Sequence, residues 1–206
     1  MSGESMKLQF ALLGASGVGK TSLFKKYFCE PRSNLELTIM STSKQKRLVV
    51  NHLGRNVEVN LRVWDTAGME QYQALMPQYY RATHGFIILY DVTGRDTFEA
   101  LDRVFNDAET FATIEDHVKI LVGNKIDQVK ERVVTRAEGL KFAHNRKAMY
   151  IEASATNDEA VDHIFEKLVS KVLADCNLWR NTPQEIVRLE AVPPSNNGSW
   201  WSNCSC

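Results

Sequence analysis

Apolar and polar positions along this chain alternate between two periods, and the changes of period mark its elements. LQFALLG, residues 8–14, is a near-continuous apolar run of the kind that forms a strand buried on both faces, and SLFKKYF after the next glycines reads as a helix. KRLVVN and VEVNLRVWD flank the turn-forming Asn-His-Leu-Gly-Arg-Asn and read as an antiparallel hairpin whose second strand enters the sheet interior. GFIILYDV and VKILVGN are two more buried strands. FEALDRVFNDAETFA and RAEGLKFAHN read as helices, and MYIEASA reads as a further strand. Strands that alternate with helices in this way predict an α/β domain, a parallel sheet covered on both faces.

The last helix is the plainest. Val161, Ile164, Phe165, Leu168, Val169, Val172 and Leu173 recur at i, i+3, i+4 and i+7, a core stripe, with Asp158 or Asn157 placed to cap its start. After Asn177 the periodicity stops. PPSNNGSWWSNCSC cannot bury enough surface to order itself, so residues 1–6 are expected to be a flexible N-terminus, 7–176 a domain and 177–206 a disordered tail. No internal repeat is visible.

Composition narrows the function. With 25 basic and 25 acidic residues among 206, the formal net charge is zero, which argues against nucleic-acid binding through bulk charge. An anion site must therefore be local. No apolar run is long enough to span a bilayer, and Met1 to Gln9 lacks a signal-peptide pattern. Cys29 and Cys176 read as lone thiols, and Cys204 and Cys206 crowd the terminus, giving neither a disulfide framework nor a zinc spacing. The cytosol is the expected home.

Three stretches carry chemistry. GASGVGKT, Gly14 to Thr21, lies where a buried strand meets a helix, as in a phosphate loop. Glycines there let backbone N–H groups turn inward around phosphate oxygens, Lys20 reaches the terminal phosphates and the Thr21 hydroxyl ligates Mg²⁺. Asp65 ends a strand with Gly68 three residues on, where an acid helps hold Mg²⁺ through water and a glycine N–H meets the terminal phosphate. NKID, Asn124 to Asp127, follows another strand. The Asp127 carboxylate offers two acceptors side by side, the complement of the N1–H and N2–H₂ donors of guanine, and Lys125 can lie against the base. Adenine has no such donors, which disfavours an ATP-using phosphotransferase.

GASGVGKT, the lone Thr38 in LELTIM, WDTAG, NKID and EASA resemble, in order, spacing and strand context, the Ras superfamily of small GTPases over about Lys7 to Asp175. YYRATHGFIILYDVT, Ser16 and the Cys-Ser-Cys ending resemble its Rab branch, which regulates vesicle identity and docking. The resemblance implies the P-loop GTPase fold: a six-stranded, mostly parallel sheet with one antiparallel strand and helices on both faces. It implies that GTP or GDP is held by Gly14, Ser16, Gly17, Val18, Gly19, Lys20, Thr21 and Ser22, by Thr38, Asp65 and Gly68, and by Asn124, Lys125, Asp127, Ser154, Ala155 and Thr156. Thr21, Thr38 and Asp65 would serve Mg²⁺, with Lys20, Thr38 and Gly68 in catalysis. Loss of the γ-phosphate would release the loops around Thr38 and Gly68, and that change of shape is the signal. Implied partners are exchange factors, GTPase-activating proteins, a GDP-dissociation inhibitor or escort protein, and effectors, at the cytoplasmic face of an endomembrane.

This chain departs from the pattern at several places. CEPRSNLELTIM lacks the aromatic that the family places over guanine; Tyr27 and Phe28 lie earlier, and Met40 and Ser43 replace glycine and phenylalanine. Thr156 stands where lysine is typical, with the Ala155 N–H expected on the guanine oxygen. The aromatic surface cluster by which Rabs are read survives only as Trp64 and Tyr79. Met69 occupies the position of the glutamine that orients the attacking water, so slow intrinsic hydrolysis is expected. The ending NCSC is not C-a-a-X but resembles Rabs carrying two geranylgeranyl groups, on Cys204 and Cys206. Two chains suit a tail with Arg188 as its only basic residue between Asn181 and Cys206. As a flexible coil that tail reaches on the order of 30 Å. The leading expectation is a slow GTP-hydrolysing switch for membrane traffic. Its rival is a scaffold that is hydrolysis-deficient or binds nucleotide weakly.

Overall fold

The computed structural model describes residues 5–30, 42–66 and 77–175. Among the described residues there are six strands, β1 (Met6–Leu13), β2 (Thr42–His52), β3 (Arg55–Asp65), β4 (Gly85–Asp91), β5 (Val118–Asn124) and β6 (Met149–Glu152), in the spatial order β2-β3-β1-β4-β5-β6. Among the described strands only β2 and β3 pair antiparallel; the other pairings are parallel. The described helices are α1 (Lys20–Tyr27), α2 (Pro77–Tyr80), α3 (Arg95–Glu99), α4 (Leu101–Phe111), α5 (Arg136–Asn145) and α6 (Asp158–Asp175), with a 3-10 turn at Val129–Glu131. This is the six-stranded α/β sheet that the resemblance implies.

The period-two geometry of strands divides the core into two layers. From β1, Leu8, Phe10 and Leu12 point to the face covered by α1 and α6, where they meet Leu23, Tyr27, Phe165 and Leu168. Ala11 and Leu13 point to the opposite face, against Leu101 and Phe105 of α4 and Ala143 of α5. All seven residues of β4 are buried, which is why its sequence reads as one apolar run without alternation. The Tyr27 ring stacks on Phe165 with centroids 3.6 Å apart, joining α1 to α6.

Several local expectations are refined. The hairpin turn occupies only Leu53 and Gly54, both at positive φ, and His52 pairs directly with Arg55. Such a two-residue turn matches the twist of its strands, so β2 and β3 run longer than the apolar pattern alone suggests. The long helix expected around FEALDRVFNDAETFA is two, α3 and α4, which meet at Ala100. Of the two candidate caps for α6, the Asn157 Oδ1 accepts from the Ala160 N–H. Cys29, read as a lone thiol, is disulfide-bonded.

A half-buried polar chain ties the C-terminal half of the sheet together. The Tyr150 hydroxyl donates to Glu152 Oε1 at 3.0 Å, so the Tyr90 hydroxyl, 2.9 Å away, must donate to Tyr150. Arg132 closes the chain with two bonds to the Glu152 carboxylate, at 2.8 and 3.1 Å. Gly139 of α5 makes room for it. A Cβ there would lie 2.3 Å from the Tyr150 oxygen, 2.5 Å from the Tyr90 oxygen and 2.6 Å from the Tyr150 Cζ. Gly139→Ala would gain about 1 kcal/mol in helix propensity. Overpacking of a close-packed site costs about 1–3 kcal/mol, and here the hydrogen-bond chain breaks as well. The expected result is a net loss of about 1–2 kcal/mol, read as a lower urea midpoint; an unchanged or higher midpoint would contradict it.

Candidate functional site

The C-terminal ends of β1, β3, β4, β5 and β6 form one edge of the sheet, and the expected phosphate and base loops leave from it. At the end of β1 the chain turns through Gly14 at φ 136° and Gly19 at φ 99°, conformations open to glycine. Contact adds to the requirement. A Cβ on Gly14 would lie 2.3 Å from the Leu89 carbonyl, and one on Gly19 would lie 2.3 Å from the Asn124 Nδ2. Gly19 is also the N-cap of α1, and no side chain caps that helix, so its first N–H groups face the loop. Lys20 is 5% exposed, and its ammonium donates to the carbonyls of Gly14 and Ala15 at 2.8 and 2.7 Å. A cation is thereby folded over the loop.

Asp65 reaches the same place from β3, where it pairs with Leu12. The Thr66 hydroxyl donates to the Leu12 carbonyl at 2.6 Å and fixes the two strand ends together. Asp65 is 1% exposed, and its Oδ1 has no hydrogen-bond partner. Burial pushes its carboxyl up to about 6, although the Thr21 hydrogen bond and the Lys20 charge pull the other way. A buried carboxylate oxygen without a partner, next to a threonine hydroxyl, is the oxygen-donor chemistry that suits Mg²⁺. Thr21 and Asp65 therefore fit that ion.

Asn124 joins the phosphate loop to the expected base loops. Its Nδ2 donates to the Val18 carbonyl at 2.7 Å, while its Oδ1 accepts from the Ala155 N–H at 3.2 Å. The Ala155 N–H, expected to face a guanine oxygen, is engaged with Asn124 here. Ser154 shapes the turn before α6: its Oγ accepts from the Thr156 N–H at 3.1 Å and lies 2.6 Å from the Thr156 hydroxyl. Thr156, in place of lysine, thus serves the turn itself. Asp127 is exposed.

Lys125 sits at φ 66°, and its ammonium is 2.7 Å from Asp91 Oδ2. Asp91, at the end of β4, was not among the residues read as a site. Its signal was nevertheless present in LYDVT, a strand-ending acid of the same kind that drew attention to Asp65. Burial alone would raise the Asp91 carboxyl, but hydrogen bonds from Lys125 and from the Thr93 N–H and hydroxyl outweigh it and hold it below the ordinary range.

The structure therefore brings together Gly14, Ser16, Gly17, Val18, Gly19, Lys20, Thr21, Ser22, Asp65, Asn124, Lys125, Asp127, Ser154, Ala155 and Thr156 on one sheet edge. Thr38, Gly68, Met69, Cys204 and Cys206 lie outside the described residues. Tyr27 is 1% exposed in the core and does not serve as a ring over a base. Trp64 and Tyr79 are brought together edge to face, with ring centroids 5.2 Å apart, and Ser43 pairs with Trp64 across β2 and β3.

Residues 9–174 match the Ras family. Ras-related protein Rab-18-B of Danio rerio is 40% identical over 200 residues, covering 96% of this chain and 95% of that protein. Ras-related protein Rab-18 of Lymnaea stagnalis is 39% identical over 97% of this chain and 95% of its own length. Ras-related protein RABC2a of Arabidopsis thaliana is 38% identical over 99% and 97%. A phosphate loop, a buried strand-ending acid and an NKID loop on one edge of this sheet, together with these near-full-length likenesses, place the chain in the Ras family of small GTPases, as a member of its Rab branch.

Proposed function

We propose that this GTPase is a membrane-traffic switch that alternates between GTP- and GDP-bound shapes, with Mg²⁺ at Thr21, Thr38 and Asp65. The observation that carries the reading is Asn124, whose two amide atoms bind the phosphate loop and the Ala155 loop into one unit at the mouth of the sheet. A bound Mg²⁺ would neutralise charge on the phosphates. The chain's own groups do the rest. Lys20, now on the Gly14 and Ala15 carbonyls, would meet the terminal phosphates, the N-terminus of α1 adds its positive end, and Asp127 would accept from the guanine N1–H and N2–H₂. Exchange factors, activating proteins, a dissociation inhibitor or escort protein and effectors would act on this cycle.

Among the described residues no helix is long and apolar enough to cross a membrane. Attachment to an endomembrane is assigned to prenyl groups on Cys204 and Cys206, since a single chain binds only marginally. The nucleotide carried through purification tests the central reading. GDP supports a turning cycle, GTP a chain locked by Met69, and neither supports the scaffold.

Three outcomes are expected. Asp127→Asn replaces one acceptor by a donor, which complements the N1–H and C2 carbonyl of xanthine; the variant should prefer XDP to GDP in competition binding, and undiminished GDP preference would contradict the assignment. Met69→Gln restores a group able to orient water, so single-turnover GTP hydrolysis should accelerate on the order of 100-fold, and an unchanged rate would remove the explanation. A Cys204→Ser, Cys206→Ser double variant should shift from the membrane to the soluble fraction; full membrane retention would defeat the lipid assignment.

A further inference from the structure

We infer that Asp91 is a positioning residue for the guanine base, holding the Lys125 side chain across the strand ends beside the base-binding loop. This rests on the guanine-binding reading above.

The two carboxylate oxygens of Asp91 do different things. Oδ1 accepts from the Thr93 N–H at 2.8 Å and from the Thr93 hydroxyl at 2.7 Å, which is the ordinary work of an acid in a turn after a strand. That accounts for one oxygen. Oδ2 faces the Lys125 ammonium at 2.7 Å. A turn does not need this second bond. The pair is nonetheless built firmly. Thr97 Oγ1 accepts from the Asp91 N–H at 3.0 Å and lies 2.7 Å from the Gly94 carbonyl, so the backbone that carries Asp91 is itself held. The Asp91 side chain is 11% exposed and the Lys125 side chain 32%, so a shielded anion anchors a half-open cation.

Placement gives the pair its purpose. Asp91 and Asn124 are register partners on β4 and β5, and Lys125 directly follows Asn124. With its Cα at φ 66° after β5 and its Nζ on the end of β4, the four-carbon stem of Lys125 crosses between neighbouring strand ends. Asn124 on one side reaches the phosphate loop, and Asp127 two residues beyond is exposed to accept the base. A stem held in one rotamer offers a flat apolar rail to the base without being ordered at the moment of binding. A lysine without the anchor would pay that ordering on each encounter.

The test is the GDP release rate from the purified full-length chain with Mg²⁺ present, measured by fluorescent-nucleotide chase. Asp91→Asn keeps the shape of the side chain and an oxygen for Thr93 but removes the charge that holds Lys125. Release should accelerate by about tenfold or more, as for loss of a charge-assisted bond. In a Lys125→Ala background the same change should produce no further acceleration, because Asp91 acts through that lysine. Should Asp91→Asn not fold, Thr93→Val loosens the carboxylate alone, and about threefold faster release is expected, again abolished by Lys125→Ala. Wild-type release from either variant, or independent effects that multiply with Lys125→Ala, would overturn the inference while leaving the guanine reading intact. Failure of the wild-type chain to retain GDP would overturn both.

Discussion

The amide of Asn124 is the constraint on which the rest of this molecule turns. One side chain donates to the Val18 carbonyl and accepts from the Ala155 N–H, so loops that are far apart in the chain are spaced by one planar group. Its position follows from the sheet. β5 pairs with β4 on one side and β6 on the other, so the end of β5 is fixed by both neighbours before any loop begins. The close approach of Gly19 to the same amide shows the arrangement from the other direction. Any side chain at that glycine would occupy the space of the Asn124 nitrogen. The loops assigned to phosphate and to base are therefore not separable parts hung on a scaffold; they share one hydrogen-bonding group.

Electrostatics on the same edge are arranged in opposite senses. Asp65 is buried with an oxygen unpaired and its carboxyl raised to about 6, so its charge is held at a cost that a cation would relieve. Asp91 is matched by Lys125 and Thr93 and lies below the ordinary range. Two strand-ending acids on neighbouring parts of one edge have thus been given different work by their surroundings. One is left wanting a partner, and the other is already satisfied.

Much of this was legible in the chain. LQFALLG, GFIILYDV and VKILVGN are continuous apolar runs because their strands are covered on both faces, and the last helix carries its buried stripe at helical spacing. The phosphate loop and NKID were legible because their chemistry depends on local spacing. What escaped depends on contacts between distant residues. The role of Asp91 emerges only when Lys125, thirty-four positions later in the chain, is placed beside it by the β4–β5 pairing. The division of α3 from α4 at Ala100 leaves the apolar pattern unbroken, and Gly139 resembles an ordinary weak point in a helix until two tyrosine hydroxyls are seen beneath it.

Helix α6 begins directly after the Ala155 loop and runs 18 residues to Asp175, where the described chain ends. At the rise of an α-helix this is about 27 Å, close to the thickness of the domain itself. The helix is pinned along that length by Ile164, Phe165, Leu168, Val172 and Leu173, and by the stack of Phe165 on Tyr27. It therefore acts as a strut with the Ala155 loop at one end and Asp175 at the other. The two ends of the described α6 are thus held about that length apart by core packing alone, so a push on one end is carried to the other without bending the helix.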